Sequence, residues 1–332
     1  MSDQLTLFDS APLEKPDPSA QQLRQAHADA AAIATRLPGG VFFGTSSWSF
    51  PGWKGIVYSS QRTQSELARE GLREYARHPL LTTVGVDRSY YAPMPAADLR
   101  AYAEQLPDGF RCCFKAPASV TSVALGSPAG PSANPDFLSV DRLVEDLLRP
   151  CDAVFADHTG PIILEFPPFP RSMRPEPDEF HSRLDRFLRD LPRGFEYAVE
   201  LRDARLLTRA YRDLLARRRV AHTFNYWSAM PTPGEQALVV PPEECSFGVV
   251  RLLLRPGTWY EDQRERFKPF DRLVDADEAM RSDVVALARR IVKGGRRVFV
   301  LVNNKAEGSS PLTVTALAKR LADACAPDSA VS

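Results

Sequence analysis

A chain of 332 residues, 44% hydrophobic and 25% charged, can bury a sizeable core, and its length fits one large α/β barrel as well as two smaller domains. Lys plus Arg equals Asp plus Glu at 42 each, so the formal net charge is zero and gives no support to a dedicated nucleic-acid or membrane-surface protein. No apolar run approaches the ~20 residues that span a bilayer, no basic start leads into an apolar leader, and the five scattered cysteines form neither a disulfide framework nor metal-ligand spacing; the cytoplasm is the expected compartment.

Residues 1–38 read as an extension. Met1–Ala20 carries Pro12, Pro16 and Pro18 among mixed charges, which predicts disorder. Its short apolar segment Leu5-Thr6-Leu7-Phe8 is a candidate docking peptide, although a tail without function is the simpler reading. The Ala-rich stretch Gln21–Arg36 predicts a helix, broken by Pro38-Gly39-Gly40. Such a helix is expected to plug the barrel bottom or to pack beside the last helix.

From Val41 onward eight short apolar, β-rich runs recur: Val41–Thr45, Thr82–Val86, Phe110–Phe114, Pro161–Leu164, Phe195–Val199, Val220–Phe224, Phe247–Val250 and Arg297–Val302. Helix-like stretches follow most of them. Ala204–Arg219 carries an apolar stripe of Leu207, Ala210, Tyr211, Leu214 and Leu215, and its arginines form a solvated face. Leu312–Ala324 turns Val314, Leu317, Ala318 and Leu321 inward, with Ser310 as N-cap and Pro311 in the first turn. Ala116–Pro135, Phe224–Glu244 and Arg255–Lys268 exceed ordinary connections and are candidate lids. The alternation predicts one TIM-type (β/α)8 barrel over residues 41–324, followed by a tail over 325–332. Cys112 and Cys113 are adjacent on a strand, so they face opposite sides and are not a redox pair.

Most runs end in polar or aromatic residues. In sequence order these are Ser46-Ser47-Trp48, Asp87-Arg88-Ser89-Tyr90, Lys115, Glu165, Glu200-Leu201-Arg202, Asn225-Tyr226-Trp227, Arg251 and Asn303-Asn304. In a barrel the C-terminal strand ends converge on one mouth, where active sites sit. Residues far apart in sequence would therefore assemble one site.

Six of these segments, in order, resemble the YecE-like family, a domain of unknown function. They are Gly44-Thr45-Ser46-Ser47-Trp48-Ser49-Phe50-Pro51-Gly52-Trp53-Lys54-Gly55, Val86-Asp87-Arg88-Ser89-Tyr90-Tyr91, Phe114-Lys115-Ala116-Pro117, Leu164-Glu165-Phe166-Pro167-Pro168, Ala198-Val199-Glu200-Leu201-Arg202 and Val302-Asn303-Asn304. The resemblance implies a TIM-type barrel and brings no established activity. Where that family has Glu and Asn in its second motif, this chain has Asp87 and Arg88. Glu165 stands for the usual Gln, and Asn225-Tyr226-Trp227 for a frequent Asp. Relative to the family, one anionic and one cationic group are added to the mouth.

Glu200 and Arg202 lie two apart, so alternation puts both on one face. Glu165 is one strand back, and two neighbouring carboxylates can divide acid and base roles. The competing reading is a salt-bridge network that closes the barrel top. Lys115 can be a Schiff-base nucleophile, an anion ligand or a partner for Glu165; the anion ligand is preferred, since nothing identifies a carbonyl substrate. Asn303-Asn304 and the turn Gly308-Ser309-Ser310-Pro311 lead into the last helix, where free backbone amides can bind an anion; an ordinary capped loop is the simpler reading for Ser309-Ser310, whereas the two Asn residues have little structural reason to be there. Trp48 and Tyr90 are the aromatics chosen as ligand contacts. His222 is the sole histidine near a strand end, and neither metal nor nucleotide cofactor has a motif.

The leading expectation is an enzyme acting on a small polar, anionic substrate. Glu200, Glu165, Asp87 and Lys115 are its candidate catalytic groups. Arg88, Arg202, Arg251, Asn303, Asn304, Trp48 and Tyr90 would hold the substrate, with no metal or cofactor. Phosphate or sulfate is then expected to stabilise the native state. A nucleic-acid-binding or nucleic-acid-processing protein is the alternative, which the neutral overall charge disfavours. A non-catalytic scaffold is the third reading.

Overall fold

The computed structural model describes residues 18–126 and 132–326. The Leu5–Phe8 segment and the tail beyond residue 326 lie outside the described residues. Eight parallel strands close into a barrel: β1 (Val41–Thr45), β2 (Thr83–Val86), β3 (Arg111–Lys115), β4 (Thr159–Phe166), β5 (Tyr197–Leu201), β6 (Ala221–Tyr226), β7 (Gly248–Leu252) and β8 (Val298–Val302). Each pairs with its neighbours in sequence, and β1 pairs with β8 to close the ring. Strands covered on both faces must be apolar along their length, which is why the runs show so little polar alternation.

Five strands outlast their apolar runs by one or two residues. β3 takes in Lys115, β4 Glu165 and Phe166, β5 Glu200 and Leu201, β6 Asn225 and Tyr226, and β7 Arg251 and Leu252. Polar residues read as strand stops thus stay in the hydrogen-bonded ladder, where Glu165 is registered against Glu200 and Asn225 against Arg251.

Alternation divides the strand side chains between two cores. Cys113, Ile163, Ala198, Ala221, Val249, Phe299 and Leu301 fill the barrel interior, with Phe42 stacked on Phe299 at 4.7 Å. Cys112, Phe114, Leu164, Val199, Leu201, Val250 and Val300 face the helical layer. The adjacent cysteines do part to opposite faces. Two residues beyond Cys113, Ile163, Ala198 and Val249 come Lys115, Glu165, Glu200 and Arg251. The same geometry therefore turns these charges into the barrel.

Helix α1 (Pro18–Ala34) packs beside α5 (Ser310–Cys325), with α2 (Pro177–Asp190), α3 (Arg209–Arg218) and α4 (Glu278–Lys293) between them in sequence. Just past α1, Arg36 forms an ion pair with Asp323 of α5. The helix expected over Ala204–Arg219 is in fact two elements. Asp203 accepts a hydrogen bond from the Arg205 amide and caps a 3-10 turn, and Thr208 then restarts the chain as the N-cap of α3. The long connections carry structure of their own. Ala118–Thr121 and a two-strand ribbon (Ala124–Leu125 with Ser132–Ala133) follow β3, Pro233–Val239 follows β6, and Tyr260–Phe267 follows β7.

Candidate active site

Six charged side chains from five strands meet at the C-terminal end of the barrel. Arg251 is at the centre. Its Nη1 lies 2.8 Å from Glu165 Oε2 and 2.6 Å from Glu200 Oε2, and its Nη2 lies 3.3 Å from Asp87 Oδ1. Arg202 Nη2 is 2.9 Å from Glu165 Oε2 and 2.5 Å from Glu200 Oε1. Lys115 Nζ lies 3.0 Å from Glu165 Oε1. Two glutamates side by side would repel; here both guanidinium groups bridge them.

Depth orders the cluster. Glu200 and Arg251 are fully enclosed, Glu165, Arg202 and Lys115 show a narrow edge, and Asp87 is half-buried at the rim. Arg202 Nε and Arg251 Nε have no hydrogen-bond partner in the protein. Burial alone would raise the Glu165 carboxyl, but Arg202, Lys115 and Arg251 outweigh it and hold it well below the usual carboxylate range. Burial would depress Arg251, and Glu200, Asp87 and Glu165 override that, so it stays charged. Three cations fix the charge of Glu165.

Aromatic rings cover the cations. Lys115 Nζ sits 3.6 Å from the centroid of the Tyr90 ring, and the Arg202 guanidinium 4.1 Å from that of Trp227. Trp227 was absent from the residues chosen on sequence, although its place just after β6 offered a clue. On the same face Tyr91 and Trp259 are 80% and 79% exposed. Tyr260 lies beneath Lys305, whose Nζ is 4.2 Å from its ring centroid.

Asp87, Lys115, Glu165, Glu200, Arg202, Arg251 and Tyr90 are thus brought together, while four other residues chosen on sequence are not. Arg88 opens a helical turn, Arg88–Tyr91, and the rotation of about 100° per residue sends it away from Asp87 to an exposed pair with Asp98. Trp48 is buried under the helix Gln64–Glu70, donating to the Leu67 carbonyl at 2.9 Å and meeting Tyr102 edge-on. Asn303 caps a 3-10 turn by accepting from the Lys305 amide. Asn304 is buried, and its Oδ1 accepts from Trp53 Nε1 at 3.2 Å, the Ser310 amide at 2.8 Å and Ser310 Oγ at 2.9 Å. The amide pair therefore has the structural reason that the sequence did not reveal.

The same bonds close the expected anion site at the start of α5. Ser309 and Ser310 are buried, the Ser310 amide is taken by Asn304 Oδ1, and the Gly308 amide by the Asn304 carbonyl. The N-cap is Ser309, whose side chain makes no capping bond. His222 is also internal: it bonds Tyr211 Oη at 3.0 Å and Gln236 Oε1 at 3.1 Å, and burial pushes it down to about 4.

A second polar brace steadies the rim. Arg255, after β7, pairs with Asp275 at 3.0 Å and Asp277 at 2.8 Å, and buried Glu307, after β8, accepts from the Asp277 amide and from Arg281. Other cavities lie at the opposite end of the barrel. One of about 750 Å³ is lined by Pro38, Lys293 and Cys325, and another of about 520 Å³ by Arg193, Arg217 and Arg219. Neither holds paired carboxylates and cations converging from several strands, as the mouth does.

Comparison with known proteins agrees with this architecture. The family described as "Protein of unknown function DUF72" matches residues 42–330. The UPF0759 protein YecE of Escherichia coli K12 is 30% identical over 164 residues, which are 49% of this chain and 48% of the relative. The match therefore spans about half the length of that curated relative. A DUF72 family protein from Thermotoga maritima superposes with a TM-score of 0.59 at 20% identity, covering 85% of this chain and 98% of that one. One from Enterococcus faecalis gives 0.55 at 14% identity, covering 85% and 97%. At these identities the two structures speak to the fold alone.

Proposed function

Because the chain belongs to the family described as proteins of unknown function DUF72, we propose a function from its own geometry: the barrel mouth is an enzyme site that binds a small polar substrate on fixed charges. One observation carries the reading, namely that six charges converge inside an otherwise apolar barrel. Withdrawing such ions from water costs several kcal/mol each, and apolar residues of similar volume often serve stability as well or better. Preoriented charges in a low-dielectric site are, by contrast, a strong means of stabilising charge that develops during a reaction.

Depth suggests the roles. Asp87, half-exposed and held through Oδ1 to Arg251, is the base that meets the substrate. Lys115 and Arg202, each with a narrow exposed edge, hold the negative charge that develops. Glu200 and Arg251 set the positions of the others. Three cations against three carboxylates leave no surplus charge for a bare anion. The balance supports a substrate that both donates and accepts hydrogen bonds over the anion expected from the arginines alone.

Thermal melts at constant ionic strength test this with four probes: inorganic phosphate, malonate, glycine and glucose. A donor–acceptor probe, glycine or glucose, should raise the melting temperature of the wild type and not that of Lys115→Met, since binding to the native state alone stabilises it. A site reading fails if no probe acts, or if the shift survives in the variant. A shift from phosphate or malonate alone would restore the anionic substrate.

A further inference from the structure

We infer that the mouth takes a neutral sugar ring, an inference that rests on the site proposed above and names its substrate class. The floor offers carboxylate acceptors and ammonium or guanidinium donors side by side, as at Glu165 between Lys115 and Arg202. Vicinal hydroxyls need that combination, because each both donates and accepts. Arg202 Nε lies in the same floor without a hydrogen-bond partner, on a side chain that is nine-tenths or more buried.

The rim supplies the other half of the recognition. A patch of exposed aromatic side chains can mark a ligand site. Tyr91 stands after β2 and Trp259 after β7, both about four-fifths exposed, and Tyr260, next to Trp259 in sequence, is 45% exposed. The Tyr91 ring meets Tyr90 edge-on at 5.2 Å, and Tyr90 in turn covers Lys115. Desolvation raises the Tyr91 hydroxyl, and the negative charges of Asp87 and Glu165 raise it further. A pyranose or furanose has C–H faces that stack on such rings and a hydroxyl edge that meets the floor.

Other ring ligands fit less well. Base edges are read by Asn and Gln amides, but Asn225 and Asn304 are enclosed and the Asn303 carbonyl is committed to the Lys305 amide. Phosphorylated ligands need surplus cations, and the floor has none.

Full-length protein titrated with glucose, galactose, mannose, N-acetylglucosamine and ribose, to about 0.1 M, decides the matter through tryptophan fluorescence and calorimetry. That is roughly a hundredfold above a millimolar Kd. Adenosine and inorganic phosphate probe the other chemistries. At least one sugar should bind, and Tyr91→Ala/Trp259→Ala should weaken it about tenfold or more, the scale of one lost aromatic stack, without moving the melting temperature of the free protein. The sugar inference is overturned if adenosine or phosphate binds while no sugar does, or if the rim variant binds sugar as the wild type does. When Lys115→Met removes that other binding, the proposed site survives and only the sugar falls. If nothing binds, or Lys115→Met changes nothing, both fall.

Discussion

Two layers of the barrel interior are built by the same strands, two residues apart. The lower holds Cys113, Ile163, Ala198 and Val249, and the upper holds Lys115, Glu165, Glu200 and Arg251. Backbone geometry treats them alike, since alternation turns both inward. Their energetics differ in kind. The lower layer gains from leaving water, at roughly 25 cal/mol per Å². The upper layer loses solvation and recovers it only through mutual pairing. A fold that can fill one layer with apolar groups could fill the next in the same way, and the proposed site rests on that difference.

That contrast can be broken most sharply at Arg251. Arg251→Ala would leave Glu165, Glu200 and Asp87 without their shared partner, and should cost about 3–5 kcal/mol, read as a drop in urea midpoint. A loss under about 1 kcal/mol would mean that the upper layer is solvated in practice. The complementary change removes the whole layer. With Lys115, Arg202 and Arg251 changed to Met and Glu165 and Glu200 to Leu, stability should stay level or rise by about 1–4 kcal/mol while ligand binding vanishes. Severe destabilisation of that variant would instead make the cluster a scaffold.

Acid titration sharpens the comparison at one residue. The folded Glu165 carboxyl is held below its ordinary value of 4.5, so its contribution is complete above that pH and fades as pH falls toward the folded value. Glu165→Gln should flatten the acid limb of the stability curve below that point, by up to about 1.4 kcal/mol per pH unit. Superimposable limbs would show that the cations do not hold the carboxylate. Arg88→Ala should have the smallest effect. Its pair with Asp98 is exposed, so the expected change is within about 0.5 kcal/mol, with ligand binding at the mouth intact. A large loss there would extend the site beyond the barrel interior.

Much of the barrel was legible because its strands announce themselves by apolar β-rich runs and its mouth by the residues that end them. Strand ends were less legible. Glu165, Glu200 and Arg251 look like stops, and only partners from other strands keep them in the ladder. The site residues that misled did so for similar non-local reasons. Nothing near Trp48 in sequence shows that the Leu67 carbonyl awaits its indole, and Asn304 gains its structural role from Trp53, far back along the chain. Arg88 is a different case. Its neighbour Asp87 does reach the mouth, but a helical turn begins between them and spoils the strand alternation that would have carried both.

Closure of the ring has a consequence for association. Every barrel strand is hydrogen-bonded on both sides, so none offers the free backbone edge from which strand addition, swapped dimers and fibres grow. Among the described residues, the β edges left open belong to the ribbon of Ala124–Leu125 and Ser132–Ala133, two residues per strand. A template that short cannot hold a partner strand in register. Copies of this chain that meet through the described residues must do so by side chains on helices and loops.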